Sequence, residues 1–88
     1  MGVVIKRDGR KQNFSPAKVK KAVTLACKDA GLSASRTKEL IISVADPVIE
    51  MYKNKRVRSV DLRRSVLRRL DRKARSASSA WRRYEKKH

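Results

Sequence analysis

Cysteine, histidine and acidic residues are scarce in this 88-residue chain, which has one cysteine, one histidine and 8 carboxylates against 25 lysines and arginines. The single cysteine, Cys27, permits no internal disulfide and no cysteine-rich zinc ribbon. The one histidine is the terminal His88, and no serine, cysteine or carboxylate set has a plausible base partner. Metal-ligand spacing and a Gly-rich Walker loop are also absent. We therefore expect no catalytic residues, no metal and no enzyme activity.

Long apolar runs are missing as well. No stretch approaches the length of a membrane span, and no charged-then-apolar leader opens the chain. We therefore expect a cytoplasmic protein with no membrane partner. The length corresponds to one small domain, residues 1–88, with a modest hydrophobic core.

Positive charge is what the chain has in excess. The net charge is +17, and residues 53–88 alone hold 15 basic and 3 acidic side chains. This excess is larger than solubility requires and indicates an anionic partner, which can be a nucleotide, a nucleic acid or an acidic protein.

The first fourteen residues predict a β-hairpin. Two β-prone runs flank Asp8-Gly9, the strongest short signal for a two-residue type I′ turn. With a turn this tight, Val3 pairs with Phe14 and Lys6 pairs with Lys11. Directly opposed lysines destabilise a hairpin unless an anion lies over them. The pattern therefore predicts a lid that holds an anionic ligand.

The middle of the chain predicts two helices. Ser15 is a good N-cap for the first. Its apolar stripe at helical spacing consists of Val19, Ala22, Val23, Ala26, Cys27 and Ala30. The second helix is expected to start at Ser33 or Ser35 and to run to about Tyr52. Pro47 should kink or interrupt it, because proline lacks a backbone donor.

The basic C-terminal part predicts two further helices. Ser59 is expected to cap the third. The inward face of this helix consists of Leu62, Val66, Leu67 and Leu70. Residues 76–79, Ser-Ala-Ser-Ser, mark a break before a final short helix from Ala80 to about Lys86. The expected fold is α+β and mainly helical, with an N-terminal β-hairpin lid (3–14) capping a small helical bundle (15–88) whose C-terminal half is basic.

A family resemblance follows from these segments. The N-terminal part of the chain resembles the ATP-cone. The resemblance rests on Lys6-Arg7-Asp8-Gly9, then Phe14, and then Lys18-Val19 ahead of an Ala-rich amphipathic run. Ser59-Val60-Asp61-Leu62 resembles the start of the third helix of the ATP-cone. Residues 80–84, Ala-Trp-Arg-Arg-Tyr, resemble the last segment of the ATP-cone in the bacterial repressor of ribonucleotide reductase genes. The ATP-cone is a small nucleotide-binding regulatory domain that heads many ribonucleotide reductases and forms part of the bacterial repressor of their genes. The resemblance covers nearly all of the chain and implies ATP or dATP as ligand, with a third strand near Val57.

The hairpin charges and the resemblance together predict a nucleotide-binding site. The residues expected to contact the nucleotide are Val4, Lys6, Arg7, Lys11, Gln12, Lys18, Ser59 and Arg63. Lys18 falls in the first helical turn after Ser15, beside free backbone N–H groups and the positive end of the helix dipole. A lysine is unfavourable there unless a polyphosphate neutralises it. Gln12 departs from the reductase cones, which often carry a carboxylate near this position, so the choice between ATP and dATP stays open.

Each of these residues also has a simpler interpretation. Lys6 and Arg7 can be solvated charges that discourage aggregation of the hairpin edge. Ser59 can serve only as a helix cap, and Arg63 can be a solvated arginine. Trp81 can stack on a purine base, although a tryptophan in a chain with so few aromatics is first of all core material.

Two functional hypotheses remain, from different classes. The first is a stand-alone ATP-cone whose occupancy changes self-assembly or docking on a regulated partner protein. The second is a small nucleic-acid-binding protein that holds the phosphates of DNA or RNA with Arg64, Arg68 and Arg72, which share a helix face at i, i+4 and i+8. A basic structural subunit of an acidic or RNA-containing assembly is a third possibility.

Overall fold

A computed structural model of the protein describes residues 1–87 and has the predicted α+β, mainly helical fold. The strands are β1 (Val3–Ile5), β2 (Lys11–Asn13) and β3 (Arg56–Arg58). The helices are α1 (Pro16–Asp29), α2 (Ala34–Leu40), α3 (Asp46–Tyr52), α4 (Ser59–Lys73) and α5 (Arg75–Lys87). The predicted bundle extends one residue further, to His88, which lies outside the described residues.

The hairpin forms, but its turn is one residue longer than predicted. The Gly9 amide donates to the Lys6 carbonyl at 2.9 Å, and the Lys6 amide donates to the Arg10 carbonyl at 2.8 Å. Residues 7–9 therefore form a three-residue loop, with Gly9 at φ 88° in the left-handed region that favours glycine. The Asp8 carboxylate stabilises this loop by accepting from the Arg10 amide at 3.1 Å.

The longer turn changes which side chains share a face. Val4 lies opposite Gln12, and Ile5 lies opposite Lys11. Residues two apart on a strand share a face, so Lys6 lies on the face of Val4 and Gln12, whereas Lys11 lies on the other. The predicted pairings of Lys6 with Lys11 and of Val3 with Phe14 are therefore wrong, because Asp8-Gly9 fits the longer loop and Val3 lies opposite Asn13.

The third strand that the resemblance implied at Val57 is confirmed. Strand β3 runs parallel to β1, and the sheet order is β2-β1-β3 with Val57 opposite Val4. Val57 is buried while Arg56 and Arg58 on either side are exposed, which is the alternation expected of a half-buried strand. Val57 and Val4 thus fix the sheet against the helices.

The predicted boundaries of α1 are confirmed at its start. The Ser15 hydroxyl accepts from the Lys18 amide at 3.3 Å, with Pro16 as the first helical residue. The buried residues of the helix are Val19, Val23, Ala26 and Cys27. Burial raises the pKa of the Cys27 thiol, and this side chain is a core residue as expected.

The predicted second helix is divided into α2, a π-helical segment at Ile41–Ala45, and α3. Ser33 caps α2 by accepting from the Arg36 amide at 3.1 Å. Pro47 lies in the first turn of α3, so the predicted interruption is confirmed. Its ring crowds the carbonyl four residues earlier, at Ser43, and the wider π turn contains that residue.

The start of α4 differs from the prediction. Arg58, with an extended backbone at ψ 143°, occupies the cap position; its side chain makes no capping hydrogen bond, and its Nε donates to the Asp61 carboxylate of the first turn at 2.9 Å. Ser59 is the first helical residue, so its predicted role as the cap is wrong. Its hydroxyl is consequently not committed to capping.

The break before α5 also lies earlier than predicted. The chain turns at Ala74, where φ is −156° and ψ is 84°, and residues 76–79 are helical. The physical reason is burial. Ala77 and Ser78 are both 0% exposed, and the Ser78 hydroxyl donates to the Arg75 carbonyl at 3.0 Å, which satisfies a serine inside a helix.

The core lies between the helices and one face of the small sheet. Its largest fully buried side chains include Leu40, Leu70, Val23, Val44 and Val48. Helix α5 packs against both α1 and α4. As a result, the sheet, the start of α1, the start of α4 and the middle of α5 meet at one end of the bundle. No helix within residues 1–87 is long and apolar enough to cross a membrane.

Candidate functional site

A cavity of about 210 Å³ opens where these four parts meet, and we call it the hairpin cavity. It is bounded by β1 and β2, the first turns of α1 and α4, and Trp81 of α5. Six of the eight predicted nucleotide-binding residues line it. They are Val4, Lys6, Gln12, Lys18, Ser59 and Arg63.

The inner wall of the hairpin cavity is apolar. Phe14, Leu62 and Val66 contribute side chains that are buried or half-buried. Trp81 lines the cavity as well, and it is packed against the hydrophobic core. This wall can accept a flat, largely apolar ring system, the kind of group that concave binding sites usually hold.

Cationic side chains from three elements stand around the apolar wall. Lys6 follows β1, Lys18 lies in the first turn of α1, and Arg63 lies in the second turn of α4. Within residues 1–87, neither Lys6 nor Lys18 has an ion-pair partner. Two uncompensated ammonium groups beside an apolar wall create a positive potential that attracts an anionic ligand.

Arg63 differs from the lysines because it already has an anionic partner. Its Nε donates to Glu85 Oε2 at 2.6 Å, and its Nη2 donates to Glu85 Oε1. The indole Nε1 of Trp81 donates to the same Glu85 Oε2 at 3.0 Å. The hydrogen bonds from Arg63 hold the pKa of the Glu85 carboxyl below its usual value, and the Glu85 carboxylate raises the pKa of Arg63.

Glu85 lies beside the candidate site and is not predicted from the sequence. It lies 22 residues from Arg63, so no local pattern pairs them. Its spacing of four from Trp81 on one helix did offer a signal, because residues at i and i+4 share a helix face. If Trp81 reaches the cavity, Glu85 on the same face is expected close to its edge.

Two predicted residues do not line the hairpin cavity. Arg7 borders an adjoining opening together with Arg63, Tyr84 and Glu85, and its charge contributes to the lowered pKa of Glu85. Lys11 is exposed on the opposite face of the hairpin because of the register described above. The structure therefore brings Arg7 to the edge of the site and leaves Lys11 away from it.

A second charged surface lies along α4. Arg64, Arg68 and Arg72, which we call the arginine row, are all exposed and border one groove together with Met51 and Tyr52 of α3. Among the described residues, Asp61 is the one carboxylate that lines this groove, and it lies 3.7 Å from the Arg64 guanidinium. The three arginines thus share one side of the helix, as their spacing predicts.

Comparison with known protein families gives one result that covers the chain. Residues 2–87 match the model of the ATP cone domain. A comparison with curated proteins found no match. The ATP cone is a nucleotide-binding regulatory domain. Because the match spans nearly the whole sequence, the chain belongs to the ATP-cone family.

Proposed function

We propose that this protein is a regulatory module that binds ATP or dATP in the hairpin cavity and does not turn the nucleotide over. The observation that carries this proposal is the convergence of Lys6, Lys18 and Arg63 around an apolar cavity in a chain of the ATP-cone family. The triphosphate lies against the cationic side chains, and the adenine base lies against the apolar wall beside Trp81. Gln12 and Ser59 supply neutral hydrogen-bonding groups for the base or the sugar.

The groups around the cavity support the proposed absence of turnover. A general base must be within hydrogen-bond reach of the proton that it abstracts. The carboxylate beside the cavity, Glu85, is held by Arg63 and Trp81 with a lowered pKa. Trp81 and Arg7 remain beside Glu85 even where a phosphate occupies Arg63, so the carboxylate stays a weak base and the bound nucleotide is sensed and released unchanged.

Regulation then works through population shift. A ligand changes an equilibrium between two states only by its different affinity for them. Nucleotide occupancy therefore changes how the protein assembles with itself or docks on a partner protein or nucleic acid. The cytoplasmic location expected from the sequence remains a prediction.

Thermal unfolding tests the nucleotide proposal. ATP and dATP bind the folded state and should raise the melting temperature by about 10–20 °C at 100 times Kd, where the ligand stabilises the protein by about 2.7 kcal/mol. Inorganic tripolyphosphate is the matched control, because it carries the phosphate charge without the adenine base. An unchanged melting temperature in millimolar ATP, or equal shifts with tripolyphosphate, would contradict a site built for nucleotide.

The arginine row favours a second function, the binding of DNA or RNA through phosphates. Residues at i and i+4 are separated by a rise of about 6 Å along a helix, so Arg64 to Arg72 spans about 12 Å. Each phosphate of one strand of a DNA duplex advances about 3.4 Å along its axis, so this span covers several phosphates. Arg68 and Arg72 have no ion-pair partner within the described residues and are free to contact them.

Titration with a labelled duplex at two salt concentrations tests this function. Binding through three phosphates should give a slope of about −2.7 in log K against log salt for B-DNA. ATP bound in the hairpin cavity should show a weaker salt dependence than the duplex. If the duplex does not bind at low salt, the charge of α4 serves a different partner, such as an acidic protein.

A further inference from the structure

The Arg63–Glu85 pair is the polar contact at the hairpin cavity that the nucleotide proposal leaves unexplained. The pair joins α4 to α5 and is held by two hydrogen bonds, with the Arg63 and Glu85 side chains 37% and 36% exposed. Arg63 lines the cavity, and Glu85 lies just outside it, beside Trp81. A negative charge therefore stands at the edge of a site proposed for a polyanion.

A phosphate and Glu85 compete for one edge of Arg63, the edge formed by Nε and Nη2. A guanidinium presents a planar fork of N–H donors that matches either a carboxylate or a phosphate. Its Nε and Nη2 are both committed to Glu85 in this structure. A phosphate that takes the same edge of Arg63 must therefore displace the Glu85 carboxylate.

We infer that Glu85 is an internal counter-ion of the nucleotide site, occupying Arg63 in the unliganded protein and giving way to a phosphate when nucleotide binds. The inference rests on the proposed nucleotide function. Glu85 lowers the affinity for nucleotide, and its displacement transmits occupancy to the C-terminal end of α5. The charged end of α5 is therefore the part of the molecule whose contacts change with ligand.

Other groups around Glu85 make the exchange feasible. The pair is partly exposed, and such ion pairs are weak compared with several charge-assisted contacts to a triphosphate. After displacement the carboxylate keeps the indole N–H of Trp81. Arg7 of the hairpin loop borders the same adjoining opening and provides the next positive charge. Displaced Glu85 is thus neither buried nor left without a nearby cation.

Calorimetric titration of ATP into wild type and Glu85→Gln tests the inference. Removing the counter-ion should tighten ATP binding about two- to fivefold, the equilibrium equivalent of an exposed ion pair. Glu50→Gln is the matched control, because Glu50 is an exposed carboxylate paired with Lys53 at 3.0 Å and does not line the cavity. The control makes the same change in net charge, so it should leave the affinity nearly unchanged.

A double-mutant cycle with Arg63→Gln separates displacement from simple repulsion. If Glu85 acts by occupying Arg63, Glu85→Gln has no effect on ATP affinity once Arg63 is replaced. An equal gain in both backgrounds would show that Glu85 only repels the ligand, and would overturn the counter-ion role. Unchanged affinity of Glu85→Gln, with normal binding by wild type, would overturn it as well.

The remaining outcomes are also decisive. If neither the wild type nor any variant binds ATP, both the proposed nucleotide site and this inference are wrong. The wild-type titration identifies that outcome, because a failure of the inference alone leaves ATP binding by the wild type intact. Folding is checked by the thermal unfolding of each variant. If Glu85→Gln does not fold, Glu85→Asp replaces it, since a carboxylate shorter by one methylene loosens the pair and should shift the affinity in the same direction.

Discussion

The backbone amide of Lys18 donates to the Ser15 hydroxyl at 3.3 Å, so the start of α1 is fixed by Ser15 and not by the lysine side chain. Both residues line the hairpin cavity. A cation in the first turn of a helix opposes the helix dipole. Lys18 is therefore unfavourable for the helix itself and available to an anionic ligand.

Replacing Lys18 or Lys6 with Ala should largely abolish the rise in melting temperature that ATP produces, because each change removes one uncompensated cation from the cavity. Without ATP, Lys18→Ala should leave stability unchanged or raise it by about 0.3–1 kcal/mol, as the helix dipole predicts. Lys38→Ala, an exposed lysine of α2 outside the cavity, is the control and should keep the full rise. Equal loss in all three variants would contradict the assignment.

Replacing Arg64, Arg68 and Arg72 together with Gln should weaken duplex binding about equally across sequences. The slope of log K against log salt should flatten by about 2.7, because about three phosphate contacts are lost. The three side chains are exposed, so the melting temperature should change little. Fluorescence anisotropy at several salt concentrations measures the slope.

The control for the arginine row is Lys21, Lys28 and Lys38 replaced together with Gln. These lysines are exposed, lie on α1 and α2, and have no ion-pair partner within the described residues. The net charge changes by the same amount in both triple variants. A slope that flattens equally in the two would mean that overall charge, and not the arginine row, determines duplex binding.

Asp71→Asn should reduce stability at neutral pH by about 1 kcal/mol or less, the value of an exposed ion pair. The Asp71 carboxylate accepts from Arg82 Nη1 at 2.8 Å and Nη2 at 3.0 Å. Arg82, and next Ser78, hold the pKa of Asp71 well below its usual value. A lowered folded-state pKa gives stability that is present above the unfolded pKa of about 3.9 and is lost as pH falls below it.

The pH dependence of unfolding checks the Asp71 prediction. The extra stability of the wild type over Asp71→Asn should decrease progressively below about pH 4, so the two melting temperatures should converge in acid. A difference in melting temperature that stays constant from pH 7 to pH 2 would mean that Asp71→Asn destabilises the protein through packing at the α4–α5 contact and not through charge.

Leu70→Ala should destabilise the protein by about 2–5 kcal/mol, because it leaves a cavity in the core. Leu70 is 0% exposed on α4. Leu25→Ala is the comparison, since Leu25 is 52% exposed and its loss should have a much smaller effect. Urea unfolding measures both, and similar losses would show that Leu70 does not belong to the core.

Local patterns predicted the parts of the fold that local physics determines. The sequence predicts a helix start at Ser15 and another at Ser33 or Ser35, because a hydroxyl at the cap accepts from a first-turn amide; Ser15 and Ser33 do so. The apolar spacing from Val19 to Cys27 gave the buried stripe of α1 for the same reason. The interruption at Pro47 follows from the missing backbone donor.

Features that depend on tertiary packing cannot be predicted from local sequence patterns. Asp8-Gly9 is compatible with a two-residue or a three-residue loop, and the choice decides whether Lys11 faces the cavity. The serines of residues 76–79 suggest a break, yet burial of Ser78 keeps them helical. Arg63 and Glu85 are brought together only by the packing of α4 against α5.

The most direct test of the account is a map of backbone amide chemical shifts in the 88-residue protein during titration with ATP. We expect the largest changes at the hairpin cavity, at Lys6, Gln12, Lys18 and Ser59, and at the indole N–H of Trp81. Changes absent at millimolar ATP, or confined to the arginine row, would contradict a nucleotide site beneath the hairpin.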